Sequence, residues 1–223
     1  MNRIVAIASL LSLQLLLSAC GAQLIRDFSS SAAPVSPAQT ATRHGEFTLA
    51  PGQKRPPVSP RTLAAFERAN RAITSEEWSV ALLELHSLVD SRPDLSGPCL
   101  NLALVYRQQD EPEQAERFYR RALQVNPHNL AAHNQYAIFL RQQGRFRDAE
   151  QTYLGALAVW EAHPDTHRNI GVLYDLYLGE QQRALQHFNR YQDLTGSGDR
   201  VVAGWIADLQ RQLMSVAQGG QPG

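Results

Sequence analysis

Cysteine is scarce in this chain: Cys20 and Cys99 are the two among 223 residues. They make no disulfide framework if Cys20 is spent on lipid, so apolar packing must hold the core. An excess of charge of one sign is also missing. Lysine plus arginine and aspartate plus glutamate number 21 each, with no long run of either. A protein that grips a nucleic-acid backbone is ordinarily more basic, which argues against such a partner. There is no glycine-rich phosphate loop, no nucleophile elbow and no zinc-ligand quartet, so no enzyme, cofactor or metal site is expected. What the chain does have is 43% hydrophobic and 19% charged residues, enough for one ordinary domain with tails.

The first twenty residues, MNRIVAIASLLSLQLLLSAC, carry Arg3, an apolar run from Ile4 to Leu17, then small residues before a cysteine. This reads as a secretory signal, because an apolar run of about 14 residues falls short of the ~20 that span a bilayer. Leu17, Ser18, Ala19 and Cys20 followed by Gly21 resemble the lipobox of bacterial lipoproteins. That resemblance implies cleavage after residue 19, a diacylglycerol (with palmitate-type chains) on Cys20 and usually an acylated amino group. Each buried CH₂ contributes ~0.8 kcal/mol, so two or three chains anchor firmly where one does not. Gly21 and Ala22, in place of an aspartate after the cysteine, imply the outer membrane, facing the periplasm.

Residues 20–60 are dominated by Ser, Pro, Ala, Thr and Gly, and six of the twelve prolines lie there. Such composition has no apolar periodicity with which to bury a core, and it favours extended chain. It reads as a disordered tether, spanning ~35 Å as a coil and ~130 Å pulled straight. Residues 218–223 read as a disordered tail.

The remainder matches itself at a spacing of 34 residues. Small residues recur as Ala69, Ala103, Ala137 and Gly171, and again as Ala81, Ala115 and Ala149, with Ala184 one residue late. Larger apolar residues flank them: Leu102, Tyr136 and Ile170, then Leu85, Tyr119, Tyr153 and Phe188. Spacings of three, four and seven within each unit are helical. Two antiparallel helices approach closely where both present small residues, and the large ones fill the space alongside. Pro93 and Pro127 follow second helices, where proline stops a helix cheaply, and Gly144 marks a turn between helices.

In this pattern the chain resembles the tetratricopeptide repeat, a 34-residue helix-turn-helix unit. The best match is GPCLNLALVYRQQDEPEQAERFYRRALQVNP, through Ala103, Tyr106, Ala115, Tyr119, Ala122 and Pro127. The resemblance implies an all-α fold, a TPR-like α-solenoid of about four repeats over 61–198 (62–95, 96–129, 130–163 and 164–198). A capping helix over 199–217 follows, with Val202, Trp205, Ile206, Leu209, Leu213 and Val216 on its apolar face and Asp199 as its cap.

Other residues invite chemistry but have plainer explanations. His163 and His167 stand at metal-ligand spacing, yet Pro164 between them reads as a helix start that leaves His163 outside. Cys99 reads as a buried core thiol, and Trp78, Trp160 and Trp205 as packing residues. The segments RQQDEPEQAERFYRR and RQQGRFRDAEQ read as solvated helix faces with intrahelical ion pairs.

Family geometry implies that the first helices line a concave groove that takes an extended peptide or a partner helix. On this chain it places Phe66, Asn70, Leu100, Leu104, Arg107, Gln108, Asn134, Ile138, Arg141, Arg168, Val172 and Asp175 there. The carboxylate clamp of chaperone-binding members is not reproduced. The expected function is a non-enzymatic adaptor with a protein partner, supporting an envelope complex. In architecture it is similar to the repeat lipoproteins that pilot type IV pilus secretins. The alternative is an accessory subunit of a cell-wall or exopolysaccharide enzyme.

Overall fold

The computed structural model describes residues 51–53 and 57–219. Cys20, the leader, most of the tether and residues 220–223 lie outside the described residues. The described chain is helical, with no strand among the described residues. Four antiparallel hairpins follow one another: α1 (Pro60–Thr74) with α2 (Trp78–Ser91), α3 (Ser96–Gln108) with α4 (Pro112–Val125), α5 (Leu130–Gln142) with α6 (Phe146–Val159), and α7 (Pro164–Leu173) with α8 (Gln181–Thr195). Each second helix packs on the first helix of the next hairpin, and α9 (Arg200–Gly219) packs on α8. This is the TPR-like solenoid with a capping helix, and α9 runs to Gly219, past the expected helix end at 217.

The helix starts follow from local chemistry. Ser59 accepts the Thr62 amide and Asn129 the Ala132 amide, while Asp199 accepts from Val201 and Val202 at the head of α9. Pro60, Pro112 and Pro164 occupy first-turn positions, where the missing N–H costs nothing. His163 is the cap of α7, its Nδ1 accepting from the Thr166 amide at 3.3 Å.

The turn inside each hairpin repeats in detail. Glu76, Asp110, Gly144 and Gly179 all sit at positive φ, of 58°, 59°, 74° and 66°. In the first three units the amide after that residue donates to a carbonyl five positions back: Glu77 to Ala72, Glu111 to Tyr106, Arg145 to Leu140. In the fourth, Glu180 donates to Tyr174, six back. The extra residue that delays Ala184 is therefore absorbed between Tyr174 and Glu180, where Tyr174–Leu178 forms a π-helical turn.

The small residues do what their spacing predicts. Ala69, Ala103, Ala137, Ala81, Ala115, Ala149 and Ala184 have no exposed surface. A Cβ on Gly171 would stand 2.6 Å from the Phe188 ring, so glycine there sets how closely α7 and α8 approach. Leu85, Tyr119, Tyr153 and Phe188 fill the space beside these crossings and are buried.

Two carboxylates, half-buried Glu116 and buried Glu150, bind successive hairpins together. Glu116 Oε1 accepts from Arg120, from Tyr136 of the next hairpin at 2.9 Å and from Arg145 at 2.7 Å. One repeat later Glu150, 5% exposed, accepts from Tyr174 and Arg183 of the following hairpin, both at 2.8 Å, and from Arg147. Burial pushes both carboxyls up, but the donated hydrogen bonds outweigh it and hold them below the ordinary value. The charged segments thus do more than the solvated faces expected of them: their glutamates pair between hairpins as well as within a helix.

Candidate functional site

The first helices α1, α3, α5 and α7, with the turn that follows α7, carry all twelve expected groove residues, but the structure divides these into two groups. Leu100 and Leu104 are 1% and 5% exposed and belong to the core, as does Val172 at 6%. Asn134 is buried too, its amide donating to Leu130 O at 3.0 Å and to Thr166 Oγ1 at 2.8 Å on α7. The expectation that these four present a ligand surface is corrected: they serve the packing of neighbouring helices. For Asn134 the cause is the next first helix, which comes close enough for Thr166 to accept from its amide.

The remaining eight are accessible in part. Phe66 and Ile138 are half-buried, and Gln108 is exposed at the end of α3. Asn70 accepts from Asn101 Nδ2 at 2.8 Å. Arg107 donates to Gln135 Oε1 at 3.3 Å, and the Arg141 guanidinium carbon lies 5.2 Å from the centre of the Tyr177 ring. Arg168 lies against the capping helix, 5.6 Å from the Trp205 ring, with its Nε buried and without a partner. Asp175 is half-buried, and burial alone pushes its carboxyl above the ordinary value.

Two features escaped the sequence reading. Asn101, Gln135 and Asn169, each 34 residues apart, put an amide at every junction of first helices and reach back to Asn70, Arg107 and Asn134. The period would have shown them, had polar as well as apolar residues been aligned. The second is the π-helical turn, which leaves Leu176 and Tyr177 46% and 42% exposed, with Tyr177 5.1 Å from the Phe146 ring. The late arrival of Ala184 was its only trace in the sequence.

The residues that invited chemistry are accounted for otherwise. Cys99 is buried, and burial pushes its thiol up, away from nucleophilic character. His167 Nδ1 lies 2.9 Å from His187 Nδ1, and its Nε2 lies 2.8 Å from Glu161 O. Burial holds His163, His167 and His187 below the ordinary value, His187 at about 4. No group of three or more His, Cys, Asp or Glu converges as a metal-ligand set among the described residues. Trp78 and Trp205 pack on the main core, with Trp205 5.3 Å from Phe188, and Trp160 packs on Leu130 and Ala156. No described helix is long and apolar enough to cross a membrane.

Comparison with known proteins agrees with this geometry. Tetratricopeptide repeat family models match residues 106–166 and 137–199. Among solved structures, PilF of Pseudomonas aeruginosa is similar at 23% identity and a TM-score of 0.61, over 73% of this chain and 78% of that one. TTC0263, a thermophilic repeat protein of Thermus thermophilus, aligns at 21% identity and a TM-score of 0.56, over 86% and 95%. YrrB, described as a repeat protein with an unusual peptide-binding site, aligns at 20% identity and 0.52, over 64% and 72%. These likenesses show the fold. The human and mouse O-mannosyl-transferases TMTC1 are 38% identical over 58 residues, 26% of this chain. The chain spans only 7% and 6% of the length of those relatives.

Proposed function

We propose that this chain, which carries tetratricopeptide repeats, is a non-enzymatic adaptor that holds a protein partner along its first helices. Repeats of this kind typically serve as protein-interaction scaffolds, and YrrB, of the same fold, has a peptide-binding site. The observation that carries the reading is the surface left by α1, α3, α5 and α7. These elements carry half-buried Phe66, Ile138, Arg107 and Arg141, with exposed Tyr177 against Arg141, a mixture of apolar anchor and polar donor suited to a peptide or helix. The TMTC1 likeness lies within the repeat region and brings no catalytic residue to this chain.

The finer reading rests on the leader: a lipid on Cys20, an outer-membrane location facing the periplasm, and a tether that lets the repeats work away from the bilayer. With the solenoid likeness to PilF, it supports a role in an envelope assembly such as a type IV pilus or a secretion system. Two measurements test these halves separately. Mass spectrometry of the membrane fraction should find an acylated Cys20 peptide, and Cys20→Ala should release the protein. In a detergent-solubilised pull-down, Arg107→Glu with Arg141→Glu should lose the partner. Undiminished recovery by that variant would sink the groove assignment.

A further inference from the structure

Three histidines gather where the third hairpin meets the fourth, and their contacts suit uncharged rings. His163 and His167 are 7% and 5% exposed, and His187 is half-buried on α8. His163 Nδ1 accepts from the Thr166 amide at the head of α7, and its ring stands edge-on to Trp160 at 5.2 Å. Thr166 Oγ1 accepts from Asn134 Nδ2 of α5 at 2.8 Å and, 2.8 Å from His163 Nδ1, donates to that nitrogen. The head of α7 is thus tied to α5 through an imidazole lone pair. A protonated Nδ1 is a donor and accepts nothing, so one proton removes the cap and breaks the chain of bonds behind it.

The other two histidines join α7 to α8. His167 Nε2 lies 2.8 Å from the Glu161 carbonyl oxygen, which only accepts, so Nε2 carries the proton and Nδ1 keeps its lone pair. His187 Nδ1, 2.9 Å away, is then the donor. The pair tolerates one further proton, at His187 Nε2, whereas a second sets two N–H groups face to face. Charged and titratable neighbours are Asp165 beside His163, Glu161 and Arg190 beside His167, and Arg183 and stacked Tyr174 beside His187. Beyond Tyr174 stands Glu150 on α6, which accepts from both Tyr174 and Arg183. Its carboxyl is held below the ordinary value, so this tie at the turn end of the hairpin stays charged while the histidines titrate.

We infer that the fourth hairpin is hinged at its turn and latched at the head of α7 by these three histidines, and that acid opens the latch. Proton uptake frees the first turns of α7 from α5 and α8, while the Glu150 tie stays closed. Burial keeps all three imidazoles below their ordinary value, His187 at about 4, so the closed form binds fewer protons than an opened one. The latch is therefore firm above ~6.5 and weakens as pH falls below it. His187 alone raises the opening equilibrium about 20-fold between pH 7 and pH 5. The latch stands apart from the adaptor reading. Its consequence for a partner rests on that reading: opening carries Arg168, on α7, away from Arg141 and divides the surface along the first helices.

Hydrogen exchange of the full chain in detergent tests this, read by mass spectrometry with labelling times scaled for the intrinsic pH dependence of amide exchange. Between pH 7 and pH 5, protection over residues 164–171 should fall at least ~10-fold, and that over α3 and the Tyr174–Glu180 turn less than ~2-fold. His163→Asn, which keeps a capping acceptor, combined with His187→Gln should abolish the acid-induced fall. The wild-type chain decides independently of that variant's folding: the ring-proton resonances of His163 and His187 should titrate below ~6.5, in step with the loss of protection. Equal loss across all four hairpins, no loss over 164–171, an unchanged fall in the folded variant, or imidazoles that titrate without any loss of protection would overturn the proposal.

Discussion

Glu150 is the sharpest place to perturb the stack. Its carboxylate is 5% exposed and joins α6 to the fourth hairpin through the Tyr174 hydroxyl and Arg183, while Arg147 closes the group within α6. In Glu150→Ala the two guanidiniums rehydrate readily, because the Arg147 and Arg183 side chains are 64% and 42% exposed. Their share of the loss is therefore small, on the order of 1 kcal/mol or less. Tyr174 is different: it has no exposed surface, so its hydroxyl stays buried and unpaired, at about 1–3 kcal/mol. The total expected is about 2–3 kcal/mol, with Glu150→Gln costing roughly half because an acceptor for Tyr174 survives. Urea denaturation followed by far-ultraviolet circular dichroism measures this. A double-mutant cycle with Tyr174→Phe should return a coupling of about 1–2 kcal/mol. Because a solenoid is held by neighbour interfaces, the fourth hairpin should also lose hydrogen-exchange protection before the others. The carboxyl is held low in the folded state, so its contribution is present above the unfolded value of ~4.3 and is lost as pH falls through the folded value. A loss below ~0.5 kcal/mol in Glu150→Ala, or an equal loss in Tyr174→Phe, would refute the reasoning.

Three further outcomes follow from the same packing. Gly171→Ala places a Cβ 2.6 Å from the Phe188 ring and should cost about 1–3 kcal/mol in urea denaturation, relieved in part by a smaller residue at position 188. Glu76→Gly should stabilise by about 0.5–1 kcal/mol, since its φ of 58° is the one glycine takes at the equivalent Gly144 and Gly179; a loss would show that the Glu76 side chain matters more than its backbone. His187 is held at about 4, mainly by burial and secondarily by His167 and Arg183, beside stacked Tyr174. The folded state thus binds fewer protons than the unfolded one, and stability should be full above ~6.5 and fall as pH drops from 6.5 toward 4. His187→Gln should flatten that limb of a melting-temperature profile, and an unchanged profile would contradict the assignment.

The hairpins were legible because their cause is periodic. Close helix crossings demand small residues at fixed intervals, and Ala103, Ala137 and their counterparts are those residues. Side-chain partners were less legible, since they depend on how far apart adjacent helices lie. Leu100 and Asn134 sit on the face that family geometry assigns to the groove, yet both are buried, Asn134 against Thr166 of the neighbouring first helix. His167 was weighed against His163, four residues away, while its partner is His187, twenty away on the facing helix. The late Ala184 announced an insertion, but only the Glu180 to Tyr174 hydrogen bond reveals that a π-helical turn absorbs it and presents Tyr177.

The central claim is that a protein partner lies along the first helices. Site-specific photocrosslinking in the native cell tests it most directly, with the crosslinker placed at Gln108 on α3, at Tyr177 beside Arg141, or at Leu83 on α2, which is 73% exposed. The account predicts one shared crosslinked species from Gln108 and Tyr177 and none from Leu83. A species formed from Leu83 but from neither of the other two would contradict it.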